Sequence, residues 1–265
     1  MNETELLFTH VLNCDRASLY LDKERALNKD EVLFISAALK RRIRGEPIAY
    51  ILGKQEFMGL DFKVNKDVLI PRQETEILVE SAIKAAGTLK LSRSGPLKIL
   101  DVGTGSGCIA ISLAKFLPRE EISAVDVSEK ALAVALENAK LHDARVKFIN
   151  SDLFVRCPTP EARYDIIVSN PPYIPSLEIE KLQPEVRYEP RAALDGGNDG
   201  LDFYRRIIKS AGEYLKDNGL LIMEMGFGQK DAVKNILQKS GNFEIIDMVK
   251  DYSDIERVII GKNHG

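Results

Sequence analysis

The chain of 265 residues is 45% hydrophobic and 29% charged, which is ordinary globular usage, and no apolar tract is long enough to span a bilayer. Its length leaves room for one large domain or for a large domain with a small companion, either able to bury a substantial core. A net charge of −3 argues against a protein that holds nucleic acid by broad phosphate neutralisation.

The N-terminus carries Glu3 and Glu5 where a signal peptide would be positive, and no apolar run follows, so a cytoplasmic protein is expected. Cys14, Cys108 and Cys157 are far apart and form no CxxC pair, which points to reduced thiols and to neither a disulfide framework nor a metal site. Across 2–44 apolar residues recur at three- and four-residue intervals, and Asp30 reads as the N-cap of an amphipathic helix carrying Val32, Leu33, Ile35 and Leu39. Lys40, Arg41, Arg42 and Arg44 fall at that helix's C-terminal end, where cations oppose the negative end of the dipole, before Gly45 and Pro47 stop it. The run reads as a solvated helix end, with a partner-binding patch as the alternative.

Over 53–70 the helical period vanishes, and Phe57, Phe62, Val64, Val68 and Ile70 stand among turn formers, which predicts a connecting β-hairpin. A helix is expected from Glu74 through Ile77, Leu78 and Ile83, up to the Gly/Ser/Pro-containing stretch 91–96. Beyond Pro96, strands near 98–102, 122–126, 146–149, 165–169 and 220–224 alternate with helices after Gly107, Ser128, Asp199 and Gly228. Strands this apolar imply a largely parallel sheet covered on both faces, with 243–248 and 257–260 as a terminal antiparallel pair. The expected division is a helical segment 1–52, a hairpin linker 53–73 and an α/β domain 74–265.

Two stretches carry the chemistry. The first strand runs into Gly103-Thr104-Gly105-Ser106-Gly107 and then a helix, the arrangement that brings a ligand close to backbone amides. Cys108 occupies the position where a GxGxxG dinucleotide fingerprint needs glycine, and no GxxxxGKS/T phosphate loop is present. Asp126 ends the next strand about twenty residues on, where an acid can accept from both hydroxyls of a ribose. A nucleoside without a pyrophosphate fits, against the alternative of a tight structural turn and a solvated acid. Asp152 and Leu153, after the third strand, sit where an adenine would be met; Asp152 is either an acceptor for its exocyclic amine or a helix cap.

The fourth strand ends in Asn170-Pro171-Pro172-Tyr173. Two prolines remove two backbone donors and hold the preceding residues extended, so the carbonyls point in fixed directions. Asn170 adds a side-chain carbonyl and Tyr173 a flat face. Such an array suits an NH2 on an sp2 carbon, whose delocalised lone pair is a poor nucleophile; the rotation barrier of an amide, about 18–20 kcal/mol, measures that delocalisation. Two acceptors gripping both hydrogens favour a more tetrahedral nitrogen and aim its lone pair at an electrophilic methyl, with no strong base required. His10, His142 and His264 occur singly, far from these motifs, and read as packing or surface residues.

Taken with the stretch Arg44-Gly45-Glu46-Pro47-Ile48-Ala49-Tyr50-Ile51-Leu52-Gly53 and with Val68-Leu69-Ile70-Pro71-Arg72-Gln73-Glu74-Thr75-Glu76, these motifs make the chain resemble, over essentially its whole length, the HemK/PrmC-type protein-(glutamine-N5) methyltransferases. The resemblance implies a Rossmann-like, seven-stranded S-adenosylmethionine-dependent methyltransferase domain, joined by a β-hairpin to a small helical N-terminal domain that docks the substrate. It implies S-adenosyl-L-methionine as cofactor and, as substrate, the glutamine of the Gly-Gly-Gln motif in class I peptide-chain release factors, without stable nucleic-acid or membrane partners. Gly103, Thr104, Gly105, Ser106, Gly107, Asp126, Asp152, Leu153 and Asn170 would hold the cofactor, and Asn170, Pro171, Pro172 and Tyr173 the glutamine. Arg72 and Glu74 would lie at the mouth of the site, or else form a capping and ion-pair network that opens the following helix. Gln73 stands where the family usually has the second proline of PRPETE, and Leu153 where relatives often carry an aromatic. The competing reading is an adenine methyltransferase of nucleic acid, which needs the same tetrad and would have to flip its base. The acidic balance, the lack of a target-recognition module and the N-terminal stretches oppose it. A catalytically dead cofactor-binding protein would be expected to lose the tetrad or Asp126, and both are present.

Overall fold

The computed structural model describes residues 2–22, 25–157 and 163–264. Four helices come first: α1 (Glu3–Leu12), α2 (Arg16–Leu21), α3 (Lys29–Ile43) and α4 (Ile48–Leu52). The cap of α3 is Asn28, not Asp30. Asn28 accepts from the Glu31 amide at 2.9 Å while the Glu31 carboxylate accepts from the Asn28 amide at 2.8 Å, a closed capping box that leaves Asp30 in the first turn, where its charge faces the positive end of the dipole. Leu7, Ile35, Ala38 and Ile51 form the small core of this segment. The basic run at the end of α3 is more than a solvated helix end. Arg41 pairs with Glu46, and Arg42 pairs both with Glu3 and with Glu185, far along the chain.

The hairpin, β1 (Lys54–Phe57) and β2 (Leu60–Lys63), turns through Met58 and Gly59, both at positive φ as a two-residue hairpin turn requires. It is shorter than the expected 53–70. Val64 N still donates to the Gly53 carbonyl at 3.1 Å, but Asn65 then accepts from the Asp67 amide with its side chain and from Val68 N with its carbonyl, so the chain bends after Val64 instead of pairing further. Val64, Val68 and Ile70 then bury against Tyr50, Ala131 and Val134. Helix α5 (Gln73–Lys90) follows and buries Ile77, Leu78, Val79, Ala82 and Ala86.

The remainder is β3 (Lys98–Val102), α6 (Cys108–Phe116), β4 (Glu121–Asp126), α7 (Glu129–Leu141), β5 (Val146–Asn150), β6 (Tyr164–Ser169), α8 (Pro184–Arg187), α9 (Asp202–Tyr214), β7 (Leu215–Glu224), α10 (Lys230–Ser240), β8 (Phe243–Lys250) and β9 (Glu256–Asn263). The seven strands lie in the order β5-β4-β3-β6-β7-β9-β8. The first five are parallel, and β9 runs antiparallel to both neighbours. Alternate residues feed two cores: Ile99, Ile166, Val168 and Ile222 on one face, Leu100, Ile167, Leu221 and Met223 on the other. That is why these strands read as continuous apolar runs. Strand β7 starts at Leu215 rather than near 220, because Leu215 already pairs with Tyr164 and the register shifts before Ile166 meets Leu220. Strand order reverses between β3 and β6, which opens a crevice at their carboxyl ends.

Candidate active site

The glycine turn leaves β3 at that crevice. Gly103 and Gly105 have φ of 81° and 55°, and a β-carbon on either would project into open space, so conformation and not packing calls for glycine there. Gly107 differs: with φ of 82°, a β-carbon would also lie 2.9 Å from Ile111 Cδ1 and 3.3 Å from Ala135 Cα. Gly103 N and Thr104 N donate to the Val125 carbonyl at 2.9 and 3.0 Å, and Gly105 N donates to Asp126 Oδ2 at 2.9 Å. Asp126 Oδ1 accepts from Ser128 N at 2.8 Å. Burial raises the Asp126 carboxyl above its ordinary range, against the pull of those backbone donors.

Behind the turn, Asp101 is fully buried. Its Oδ2 accepts from Thr104 Oγ1 at 2.6 Å, while Oδ1 has no partner among the described residues. Burial, outweighing the Thr104 bond, pushes its pKa up to about 7.

At the end of β6, Ser169 Oγ donates to the Val102 carbonyl at 2.7 Å and ties the two strands together where their order reverses. Asn170 Nδ2 donates to Thr75 Oγ1 at 3.0 Å. Among the described residues no donor reaches Asn170 Oδ1 or the Pro171 carbonyl. The Tyr173 carbonyl is engaged by Gln229 Nε2 at 2.9 Å, and beyond it Ile174 bridges to Asp195. The Tyr173 ring abuts Gly226, where a β-carbon would lie 2.9 Å from Cδ2.

The crevice brings together Gly103, Gly105, Asp126, Asp152, Leu153, Asn170, Pro171 and Pro172. Thr104 and Ser106 are buried beneath the turn, and Gly107 lies under the packing of α6 on α7. Asp152 lies at the crevice with its carboxylate held by Arg206 Nη2 at 2.7 and 2.8 Å. Arg72 occupies the N-cap position of α5 without a capping bond of its own; it pairs with Glu189, whose Oε2 accepts from Ile70 N at 2.9 Å. Glu74 is exposed in the first turn of α5. Sequence reasoning missed three contributors. Phe203, on α9, supplies an aromatic wall in the crevice that Leu153 does not. Glu189 holds the Arg72 segment, and nothing in its local pattern marks it. Glu224, 2% exposed, ends β7, and an acid closing the apolar run Leu220-Leu221-Ile222-Met223 at the carboxyl edge of the sheet is the signal that marks it.

Residues 1–53 match the PrmC N-terminal domain and residues 79–183 the methyltransferase small domain. A release factor glutamine methyltransferase of Geobacter sulfurreducens is 46% identical over 98% of this chain and 88% of its own. Another, of Koribacter versatilis, is 44% identical over 97% and 89%. The chain belongs to the release factor glutamine methyltransferases. A methyltransferase from Pyrococcus furiosus shares the fold at a TM-score of 0.56 and 20% identity, over 87% of this chain and all of that one.

This methyltransferase takes its methyl group from S-adenosylmethionine. The crevice fits such a molecule: open space over two glycines, an acid at the edge, and apolar walls from Leu153 and Phe203. Among the described residues no helix is long and apolar enough to cross a membrane, and no cluster of three or more His, Cys, Asp and Glu could hold a metal ion.

Proposed function

We propose that this enzyme methylates the side-chain amide nitrogen, N5, of the glutamine in the Gly-Gly-Gln motif of class I peptide-chain release factors, in the cytoplasm and in the service of translation termination. The observation that carries this reading is the pair of acceptors that no donor among the described residues reaches, Asn170 Oδ1 and the Pro171 carbonyl, at the end of β6 beside the crevice. Both hydrogens of the substrate amide would be gripped by this pair, which localises the nitrogen lone pair and holds it in line for attack. When bound, S-adenosylmethionine supplies an electrophilic methyl on a positively charged sulfur. The methyl would pass from sulfur to nitrogen, with S-adenosylhomocysteine as the leaving group and the proton lost by the nitrogen passing to solvent.

In this reading the Gly103–Gly107 turn carries the cofactor, and Asp126 accepts from its ribose hydroxyls with the lone pairs not used by Gly105 and Ser128. Asp152 and Leu153 face the adenine. Pro172 stiffens the acceptor array, and Tyr173 bounds the glutamine side chain. Arg72 and Glu74 stand at the mouth, Arg72 through the segment that Glu189 fixes. Residues 1–52 form the docking domain, 53–73 the linker and 74–265 the catalytic domain. Flanking glycines leave the mouth unobstructed, and remote contacts of a folded factor with the docking domain offset the cost of ordering a flexible loop.

The test is mass spectrometry after incubating enzyme and cofactor with a purified release factor, and separately with adenine-containing DNA and RNA. A gain of one methyl on the glutamine, with none on adenine, is expected. Methylated adenine with an untouched glutamine would replace this reading by that of a nucleic-acid adenine methyltransferase.

A further inference from the structure

Asn170 can grip a substrate amide only if its side chain presents oxygen, and not NH2, to the crevice. An amide is nearly symmetric in shape, so something behind it must distinguish its two ends. Two buried side chains stand there. Thr75, 3% exposed in the first turn of α5, accepts from Asn170 Nδ2 at 3.0 Å. Glu224 ends β7; because Ser169, the last residue of β6, pairs with Met223, Asn170 leaves its strand beside Glu224. Thr75 and Asn170 are the two side-chain donors that face the Glu224 carboxyl. Its Oε2 is buried without a partner among the described residues. An acid kept this deep with an unused oxygen costs stability and calls for a compensating role.

We propose that Thr75 and Glu224 are positioning residues that hold the NH2 of Asn170 inward and so keep its carbonyl oxygen turned toward the substrate amide. An ionised carboxylate only accepts, so it takes the single proton of the Thr75 hydroxyl and leaves that oxygen to accept from Asn170. With both inner partners accepting, only the NH2 end of Asn170 can face them. A protonated Glu224 could instead donate, and the amide would be free to turn over. The charged and titratable groups around Glu224 are Glu74 on α5, Cys108 on α6, Tyr173 after β6, Tyr204 on α9 and Arg257 on β9. Burial, the largest influence, raises the Glu224 carboxyl to about 7, so the ionised form accumulates as pH rises through neutrality.

The inference rests on Asn170 being the acceptor of the substrate amide, and the experiment separates the two. Turnover of a purified release factor is measured for wild type, Asn170→Ala, Thr75→Val, Thr75→Ser and Glu224→Gln, together with cofactor affinity by calorimetry and thermal midpoints. Thr75→Val should lower kcat about tenfold to hundredfold, the scale of a misplaced catalytic group. KM for the factor and cofactor affinity should stay within about twofold, and Thr75→Ser should restore most of the loss. Wild-type kcat should fall as pH drops below about 7, and Glu224→Gln should flatten that limb. Should Asn170→Ala be nearly inactive while Thr75→Val keeps wild-type kcat, this inference fails and the acceptor role of Asn170 stands. It fails equally if Thr75→Ser is as impaired as Thr75→Val, or if Glu224→Gln keeps the acidic limb. Full turnover by Asn170→Ala would overturn the acceptor reading itself.

Discussion

Asp126 Oδ2 accepts from the backbone amide of Gly105 at 2.9 Å, so the acid that ends β4 also holds the glycine turn that ends β3. One carboxylate therefore shapes the crevice and offers it acceptors. Removing it as Asp126→Ala should abolish the proposed ribose contacts and leave Gly105 N without its partner. Charge-assisted hydrogen bonds contribute roughly 1.5–3 kcal/mol each, so calorimetry should show S-adenosylmethionine binding weakened by two or more orders of magnitude. Unchanged affinity would remove Asp126 from the site.

Asn170→Ala deletes one acceptor from the pair proposed to grip the amide while leaving the glycine turn untouched. Turnover of a release factor should fall by about 10²–10³, the usual effect of losing one preorganised polar contact. Cofactor affinity should change by less than about threefold, so the damage appears in kcat and not in cofactor binding. A variant that loses cofactor affinity and turnover in parallel would place Asn170 in the cofactor subsite alone.

Much of this architecture was legible in the sequence because it is written in local signals. Apolar runs separated by helical periods gave the parallel sheet, and the glycine turn and the tetrad fell at the ends of β3 and β6, which the strand order brings together. What escaped depended on contacts far apart in the chain. Glu189 meets Ile70 and Arg72 across more than a hundred residues, and Phe203 enters the crevice from a helix whose own pattern is unremarkable. The cap of α3 was misplaced by two residues because Asn28 and Asp30 are both good caps; Glu31, three residues after Asn28, decides between them. The hairpin is shorter than expected because Val68 and Ile70 are apolar for packing against α4 and α7, not for pairing.

The three glycines of the turn should respond differently to alanine. All three have positive φ, where a β-carbon costs roughly 1–2 kcal/mol. Only at Gly107 would that carbon also press on Ile111 and on the Ala135 backbone. Gly107→Ala should therefore lower the thermal midpoint by several degrees more than Gly103→Ala, while Gly103→Ala shows its larger effect on cofactor affinity. Equal losses of stability would contradict a packing role for Gly107.

The buried acid Asp101 should contribute a stability term that falls between acid and neutral pH. Asp101 keeps its proton in the folded state up to about 7, against an unfolded value of 3.8, so the native state binds more protons throughout that window. Its contribution to stability consequently declines as pH rises from about 4 to about 7 and is level above, a loss on the order of 4 kcal/mol for this one group. Asp101→Asn removes its share. The difference in thermal midpoint, variant minus wild type, should become more positive between pH 5 and pH 8 whatever its sign at pH 5. A difference independent of pH would mean that Asp101 is already ionised at pH 5.

The last prediction concerns the helical segment 1–52, proposed as the docking domain. On α3, Val32, Leu39 and Ile43 are 46%, 49% and 85% exposed, and their spacing of seven and then four residues sets them on one stripe of the helix. The adjoining face of the helix is spent on the small core through Ile35 and Ala38. Nothing internal needs the outer stripe to be apolar, and contiguous exposed apolar surface marks a place where another molecule binds. The same helix end is tied by Arg42 to Glu185, and the Tyr188 hydroxyl donates to the Arg44 carbonyl at 3.0 Å, so a partner held there is held at a fixed distance from the tetrad. Leu39→Glu together with Ile43→Glu should therefore raise KM for an intact release factor about tenfold or more. Cofactor affinity, thermal midpoint and the slow methylation of an isolated Gly-Gly-Gln peptide should stay close to wild type. An unchanged KM for the intact factor would move the docking surface off this face of α3.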